Sequence, residues 1–229
     1  MKDIQIFEPL LEAARAIIFD FDGVLADSEK WHFLTYKEVF ERHGHTLDET
    51  EYYKFWTSLG QGAKGEIARF GLDLDPVAIR DEKRPLFREK CRDGSIQLFS
   101  EAFEFLERLA KMDKILAIAS GTLTSDIEAI LENAGVKLYF AEIVGCDQVD
   151  AIKPAPDLFL KVVEKLGLPA SDCLVIEDAE KGMYAAKAAG IKVIVIRTRE
   201  TRDFDFSDAD LAVYSHAEFL ELVRHISLR

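Results

Sequence analysis

Four groups of residues in the 229-residue chain have types and spacings that could do chemistry. The first is Asp20-Phe21-Asp22-Gly23-Val24-Leu25, two acids directly after the apolar run Ala16-Ile17-Ile18-Phe19. Side chains alternate along an extended chain, so Asp20 and Asp22 are expected to point the same way. Like charges at the end of an apolar strand are costly unless a cation or ligand compensates. The plainer alternative is that one acid caps a turn at Gly23. The second group, Ser120-Gly121-Thr122, precedes a helical run, and a hydroxyl with free N–H groups at a helix N-terminus suits an anion. Serine is also a common N-cap. The third is Lys153 in Lys153-Pro154-Ala155-Pro156-Asp157, a cation before a helix start fixed by two prolines. Alone it reads as a solvated surface charge. The fourth, Glu177-Asp178, follows another apolar run and could offer oxygens to a hard divalent ion such as Mg²⁺. In isolation such acids also suit the positive end of a helix dipole. Asp27 and Ser28 precede a helical stretch, where an N-cap is the expected role.

These groups need elements to hold them. Ala16 to Phe19, Ile115 to Ala119, Leu174 to Ile176 and Lys192 to Ile196 are continuous apolar runs rich in β-branched residues, the pattern of strands buried on both faces. Phe103, Leu106, Leu109 and Ala110 recur at helical spacing, as do Leu158, Phe159, Val162, Val163 and Leu166. Gly135, Gly167 and Gly190 stand where helix C-caps are wanted. Strand and helix in alternation predict an α/β chain, a Rossmann-like doubly wound parallel sheet covered by helices on both sides. Each chemical group then falls at the carboxyl end of a strand, where open α/β sheets place ligands. Residues 28–93 contain helical stretches (Glu29 to Arg42, about Lys64 to Phe70, Val77 to Cys91) and no strand pattern, so they are expected to form an inserted helical cap domain. Residues 1–27 and 94–229 would form the core.

A carboxylate pair, a hydroxyl, a lysine and an acidic pair, in that order, each after an apolar strand, resemble the four motifs of the haloacid dehalogenase superfamily of phosphohydrolases. The resemblance covers nearly the whole chain, with residues 28–93 similar to that family's small helical cap. It implies that Asp20 attacks phosphorus and forms an aspartyl-phosphate, splitting one hard displacement into two easier ones. It implies that Asp22 protonates the leaving oxygen and later takes a proton from water. Mg²⁺ would be held by the Asp20 carboxylate, the Asp22 backbone carbonyl, Glu177 and Asp178. Ser120, Gly121 and Lys153 would bind the phosphoryl group, with Lys153 also offsetting the charge of Asp20.

Asp22 further distinguishes branches: the dehalogenases and phosphonatases of that family lack an acid two residues past the nucleophile. Glu177-Asp178 and the lysine with its two prolines resemble the β-phosphoglucomutase and sugar-phosphate phosphatase branch. The expected substrate is a small phosphorylated metabolite, a sugar phosphate first. The alternatives are a phosphomutase and a non-catalytic binding or regulatory protein that kept the fold. The cap should choose the substrate. Its Gly-rich turn, Leu59-Gly60-Gln61-Gly62-Ala63-Lys64-Gly65, offers Lys64 to a second anionic group or a sugar hydroxyl, or else leaves it solvated. Arg69 reads as a surface helix charge, His32 as a capping or packing residue near the hinge, and Leu98-Phe99-Ser100-Glu101 as a local turn where relatives have a Pro-Gly pair.

Composition limits the partners. Lys and Arg number 29 against 42 Asp and Glu, a formal charge of −13, so neither nucleic acid nor an anionic membrane is an expected partner. A small anionic substrate needs local positive charge. Cys91, Cys146 and Cys173 are widely spaced and odd in number, which points to free thiols in a reducing compartment. No run approaches the ~20 apolar residues that span a bilayer. Together these predict a cytoplasmic chain.

Overall fold

In the computed structural model, residues 2–58, 60–202 and 204–226 are described. The chain opens on helix α1 (Lys2–Ala13) and strand β1 (Ala16–Phe19), then runs through four helices: α2 (Glu29–Arg42), α3 (Glu49–Tyr52), α4 (Gly62–Phe70) and α5 (Pro76–Arg92). A π-helical turn, Tyr53–Ser58, joins α3 towards α4. Beyond them come α6 (Ser100–Lys111), β2 (Ile115–Ala119), α7 (Thr124–Ala134), β3 (Phe140–Val144), α8 (Asp157–Leu166), β4 (Cys173–Glu177), α9 (Glu180–Ala188), β5 (Lys192–Ile196), β6 (Leu211–Val213) and α10 (His216–His225).

The six strands form one parallel sheet in the order β3-β2-β1-β4-β5-β6. Alternation sorts their side chains between two cores. Ile17, Phe19, Leu116, Ile118, Leu174 and Ile176 join the apolar cluster built with α1, α6, α7 and α10. Ala16, Ile18, Ala117, Ala119, Val175 and Val193 join the one built with α8 and α9. Burying each of the larger side chains contributes roughly 1.5–3 kcal/mol, enough to fix the register, because a one-residue slip would exchange the two faces. β1 is flanked by β2 and β4, so the strand order reverses beside it and leaves a crevice at its carboxyl end. The fold class expected from the sequence is the one observed.

Among the elements that the sequence does not announce are β3, β6 and α1. β3 is an edge strand whose middle carries Glu142 and an exposed Ala141, and β6 is only three residues long. α1 contains Pro9 inside the helix. In α6, Phe103 is exposed at 44% whereas Phe105 is fully buried, so the inward face is Ala102, Phe105, Leu106 and Leu109 rather than the Phe103 stripe.

The segment between β1 and β2 leaves and returns through adjacent backbone. Ala26 bridges Leu98 antiparallel, the Asp27 N–H donates to the Gln97 carbonyl at 2.9 Å, and the Phe99 N–H donates to the Leu25 carbonyl at 2.9 Å. The helices have an apolar cluster of their own, with Phe33, Phe40, Tyr52, Trp56, Ile67 and Ile79. The far end of α5 instead joins the sheet's core through Phe87 and Cys91. Arg88 Nε reaches Asp126 Oδ1 at 3.1 Å, and Asn133 Nδ2 donates to the Cys91 carbonyl at 3.0 Å. The cysteines are unpaired. Among the described residues no helix is long and apolar enough to cross a membrane.

Candidate active site

Asp20 follows the end of β1, with its N–H donating to the Ile176 carbonyl at 2.9 Å. Its Oδ1 accepts from Lys153 Nζ at 2.5 Å. The same ammonium donates to Glu177 Oε1 at 2.7 Å and to the Ala119 carbonyl at 2.9 Å, so its three protons are committed and one cation ties the ends of β1, β2 and β4 together. Glu177 Oε2 accepts from the N–H groups of Asp178 and Ala179 at 2.9 and 3.2 Å. Asp20, Glu177 and Asp178 are buried and offer oxygens within 4.8 Å of one another. Two glycines make this possible. A Cβ at Gly23, whose φ is +82°, would lie 2.2 Å from Asp178 Oδ2, and one at Gly182 would lie 1.7 Å from Glu177 Oε1.

Three buried carboxylates against one ammonium leave uncompensated negative charge. Burial, resisted by Lys153 and reinforced by Glu177 and Asp22, pushes Asp20 from its ordinary 3.8 up to about 7. Burial, then the charges of Glu177 and Asp20, push Asp178 well up. A compact set of hard oxygen donors with excess negative charge fits a divalent cation.

Asp22 sits in a different environment although only two residues away. β1 has ended at Phe19, so strand alternation does not set its direction; the turn does, with the Leu25 and Ala26 N–H groups donating to the Phe21 carbonyl at 2.9 Å. Its Oδ1 accepts from Ser28 Oγ at 2.5 Å and meets His32 Nε2 at 3.2 Å. Its Oδ2 accepts from Ser120 Oγ at 3.0 Å and Thr122 Oγ1 at 2.7 Å. Burial alone would raise Asp22, but the adjoining His32 and the donors His32, Ser28 and Thr122 outweigh it and hold the carboxyl well below the usual range. Lys83 Nζ stands 2.7 Å from His32 Nδ1. An ammonium has only protons to give, so Nδ1 accepts and Nε2 carries the proton towards Asp22. Phe87 stacks on the His32 ring at a centroid distance of 3.9 Å. Burial lowers Lys83 from 10.5 to about 8 despite the opposing pull of Asp22.

The carboxylates open into a cavity of about 480 Å³ between the strand ends and the helical segment, with Gly60, Gly121, Lys153 and Lys181 in its wall. A Cβ at Gly121 would meet nothing within 4 Å, so the backbone there borders open space. Several expectations change in detail. Ser28 holds the N-cap position of α2 without capping it, since its hydroxyl goes to Asp22. The first N–H of α7, at Thr124, donates to Asp147 Oδ1 at 2.7 Å, and the Ser120 hydroxyl faces Asp22 rather than the helix end. The three acids placed to hold a metal do not include the Asp22 carboxylate, both of whose oxygens are engaged, in keeping with the expectation that Asp22 would offer its backbone carbonyl. Lys64 is exposed on α4 and does not line the cavity, and Leu59 of the same turn lies outside the described residues. Arg69 is tied to Glu51 at 2.7 Å and Glu66 at 2.9 Å. Phe99 stacks on His216 at 4.0 Å.

The sequence singles out Ser120-Gly121-Thr122 but gives the Thr122 hydroxyl no role of its own, suggests only capping or packing for His32, and does not mark Lys83 at all. Thr122 lies in the bend past the end of β2, and its N–H donates to Ser120 Oγ at 3.0 Å while its hydroxyl reaches Asp22. Lys83 occurs among many charges on α5 and is singled out only by its contact with His32.

A family model described as haloacid dehalogenase-like hydrolase matches residues 17–196. Protein CbbY of Rhodobacter capsulatus is 31% identical over 208 residues, covering 86% of this chain and 91% of its own length. Fructose-1-phosphate phosphatase YqaB of Escherichia coli is 29% identical over 201 residues, covering 82% of this chain and 99% of that protein. The crystal structure of a CbbY variant from Rhodobacter sphaeroides in complex with xylulose 1,5-bisphosphate is similar with a TM-score of 0.77 at 29% identity, over 90% of this chain and 96% of that one.

Proposed function

The chain belongs to the haloacid dehalogenase-like hydrolases, as a phosphatase of that family, and we propose that it removes phosphate from a small sugar phosphate through an aspartyl-phosphate on Asp20. The observation that carries this reading is the division of labour between two carboxylates in one cavity: Asp20 held by Lys153, Asp22 held by hydroxyls and His32. Groups whose surroundings push their proton affinities apart are suited to different roles.

In the first step a carboxylate oxygen of Asp20 bonds to phosphorus while the bond to the sugar oxygen breaks, and Asp22 delivers its proton to that oxygen. In the second, water attacks phosphorus, Asp22 takes its proton, and the acyl-phosphate bond breaks to restore the Asp20 carboxylate and release inorganic phosphate. Ser120, the Gly121 backbone and Lys153 receive the phosphoryl oxygens, Lys153 by exchanging one of its three present acceptors for the phosphoryl group. A Ser120 hydroxyl turned towards phosphate no longer donates to Asp22. The carboxyl then loses one of the bonds that hold it ionised and is better able to carry the proton the first step requires. Asp20, Glu177 and Asp178, with the Asp22 backbone carbonyl, would hold Mg²⁺, which when bound supplies the charge that lets an anionic nucleophile meet an anionic phosphate. Residues 28–93 serve as a cap over a core of 1–27 and 94–229, and His32 and Lys83 link that cap to Asp22.

Relatives that act on or bind sugar phosphates, fructose 1-phosphate for YqaB by its name, support the substrate class. The test is phosphate release from a panel of sugar phosphates with Mg²⁺. Equal yields of phosphate and free sugar, lost in Asp20→Asn, are expected. Conversion of a hexose 1-phosphate to an isomer without phosphate release, in the presence of catalytic bisphosphate, would make the protein a phosphomutase and overturn the hydrolytic reading.

A further inference from the structure

The turn that carries Asp22 is held from the far end of the chain. Most of its backbone groups pair within the turn or with the returning segment: the Leu25 and Ala26 N–H groups go to the Phe21 carbonyl, the Gly23 N–H to the Ala26 carbonyl at 3.0 Å, and the Leu25 carbonyl receives the Phe99 N–H. The carbonyls of Gly23 and Val24 have no backbone donor among the described residues, and both residues are buried. His216 supplies what they lack, with its Nε2 standing 3.1 Å from each. A buried carbonyl without a donor is costly, so one imidazole N–H shared between two acceptors relieves both. A carbonyl only accepts, which places the proton on Nε2. Burial holds the imidazole below its ordinary 6.5 against the pull of the Val24 carbonyl and Glu101, so the ring is uncharged at neutral pH.

The imidazole is itself fixed on several sides. Ser215 caps α10, its Oγ accepting from the Glu218 N–H at 3.1 Å, so His216 begins the helix. One turn further on, the buried Phe219 meets Phe7 of α1 and Phe105 of α6 edge-on, at centroid distances of 5.7 and 5.3 Å, which anchors α10 on the sheet's core. The face of the His216 ring lies against Phe99, with 4.0 Å between centroids and 26° between planes. Phe99 follows Leu98, which bridges Ala26 where the helical segment returns to the core. The edge of one imidazole therefore holds the outgoing leg of that connection, and its face holds the returning leg.

The two carboxylates of the site do not depend on this contact equally. Asp20 is fixed by its N–H on the Ile176 carbonyl and by its side chain on Lys153. Asp22 lies past the strand and takes its direction from the turn, and the next carbonyl along the chain, that of Gly23, is one of the two that His216 holds. We infer that His216 is a positioning residue for Asp22: by tying the turn to α10 it keeps the Asp22 carboxyl aimed at the leaving oxygen in the first step and at the attacking water in the second. This rests on the phosphatase reading and adds a residue that touches neither substrate nor the reacting atoms. A displacement of about 1 Å at a group that must transfer a proton is enough to slow a reaction on the order of a hundredfold.

The test uses p-nitrophenyl phosphate at saturating Mg²⁺, because its leaving group needs no proton: the first turnover then depends on Asp20, and only the hydrolytic step still needs Asp22 as base. His216→Phe keeps a ring against Phe99 and leaves the two carbonyls without a donor. It should keep the first-turnover release of nitrophenolate and the inhibition constant of inorganic phosphate within about threefold of wild type, while steady-state turnover falls roughly ten- to hundredfold. His216→Gln, which retains an N–H, should recover at least about threefold of that loss. Because His216 acts through Asp22, adding His216→Phe to Asp22→Asn should change turnover by less than about threefold. All rates are read on variants whose circular dichroism spectra and melting curves show them folded at the assay temperature. First and later turnovers slowed in equal measure, steady-state turnover unchanged, a glutamine variant no faster than the phenylalanine one, or an effect that multiplies in full with Asp22→Asn would each overturn the inference and leave the phosphatase reading intact. A wild type inert towards p-nitrophenyl phosphate would overturn both. Should His216→Phe fail to fold, Phe99→Leu, which removes the ring that sets the plane of the imidazole, carries the same comparison: a loss of at least about threefold confined to steady-state turnover supports the inference, and no such loss overturns it.

Discussion

Asp20 and Asp22 differ in what they can do because their oxygens have different company. Both oxygens of Asp22 receive protons from neighbours, while Asp20 has one ammonium and two more carboxylates beside it. The consequence is testable through the leaving group. p-Nitrophenolate departs without a proton, whereas a sugar alkoxide needs one, so Asp22→Asn should slow sugar phosphate turnover by about 10²–10⁴-fold. With p-nitrophenyl phosphate the same variant should keep a rapid burst of nitrophenolate followed by slow turnover, because only the hydrolytic step then lacks its base. An Asp22→Asn variant with no burst on p-nitrophenyl phosphate, slowed as much as on the sugar phosphate, would count against the assigned role. Asp20, Glu177 and Asp178 were legible in the sequence because they stand at the ends of apolar strands that can be read from periodicity, and a parallel sheet brings such ends together; Lys153, beyond the unreadable edge strand β3, was legible only through its two prolines and its place in the order of the motifs. The roles of Thr122, His32 and Lys83 were not legible, because Thr122 and His32 meet Asp22, and Lys83 meets His32, through the folding of turns and the packing of α2 against α5, which no local pattern records.

Two helices are built around this site at a cost to their own stability. In α9, Gly182 leaves room for Glu177, and a Cβ there would overlap the carboxylate. Gly182→Ala should therefore push Glu177 off Lys153, destabilise the protein by about 1–3 kcal/mol in chemical unfolding and impair turnover. An alanine normally stabilises a helix relative to glycine, so a more stable active variant would contradict the geometry. In α5, Lys83 has its folded proton affinity lowered from 10.5 to about 8 by burial. The unfolded chain then binds more protons between those values, so the ammonium destabilises the fold fully below about pH 8 and the penalty fades as pH rises towards 10.5. Lys83→Met should raise unfolding stability at pH 7 by on the order of 3 kcal/mol, with a gain that shrinks above pH 8. Turnover should fall, because His32 loses the donor that fixes which of its nitrogens faces Asp22. The boundaries of α2 were readable from the sequence, but which face of α5 turns inward depends on its contacts with His32 and α7, a tertiary effect.

In a molecule of formal charge −13, three buried carboxylates converge from the ends of β1 and β4, where like charges are least tolerable. Raised carboxyl affinities mean that the folded protein binds more protons than the unfolded one. For Asp20 this holds between its ordinary 3.8 and about 7, so metal-free stability should decline as pH rises through that interval. Mg²⁺ binding only the folded state reverses this at neutral pH. At a concentration a hundredfold above its dissociation constant it contributes about 2.7 kcal/mol, which for a chain of this size raises the melting temperature by roughly 5–10 °C. Asp178→Asn separates the two effects. It removes one of the repelling charges, so with EDTA at pH 8 the variant should melt above the wild type. It also removes a hard donor, so added Mg²⁺ should shift its melting temperature little. Calorimetry of both proteins, with and without the ion, provides the decision. A wild type indifferent to Mg²⁺, or a variant that melts below it in EDTA, would mean that the acidic cluster is satisfied by Lys153 alone and that the sheet does not store repulsion for a cation to relieve.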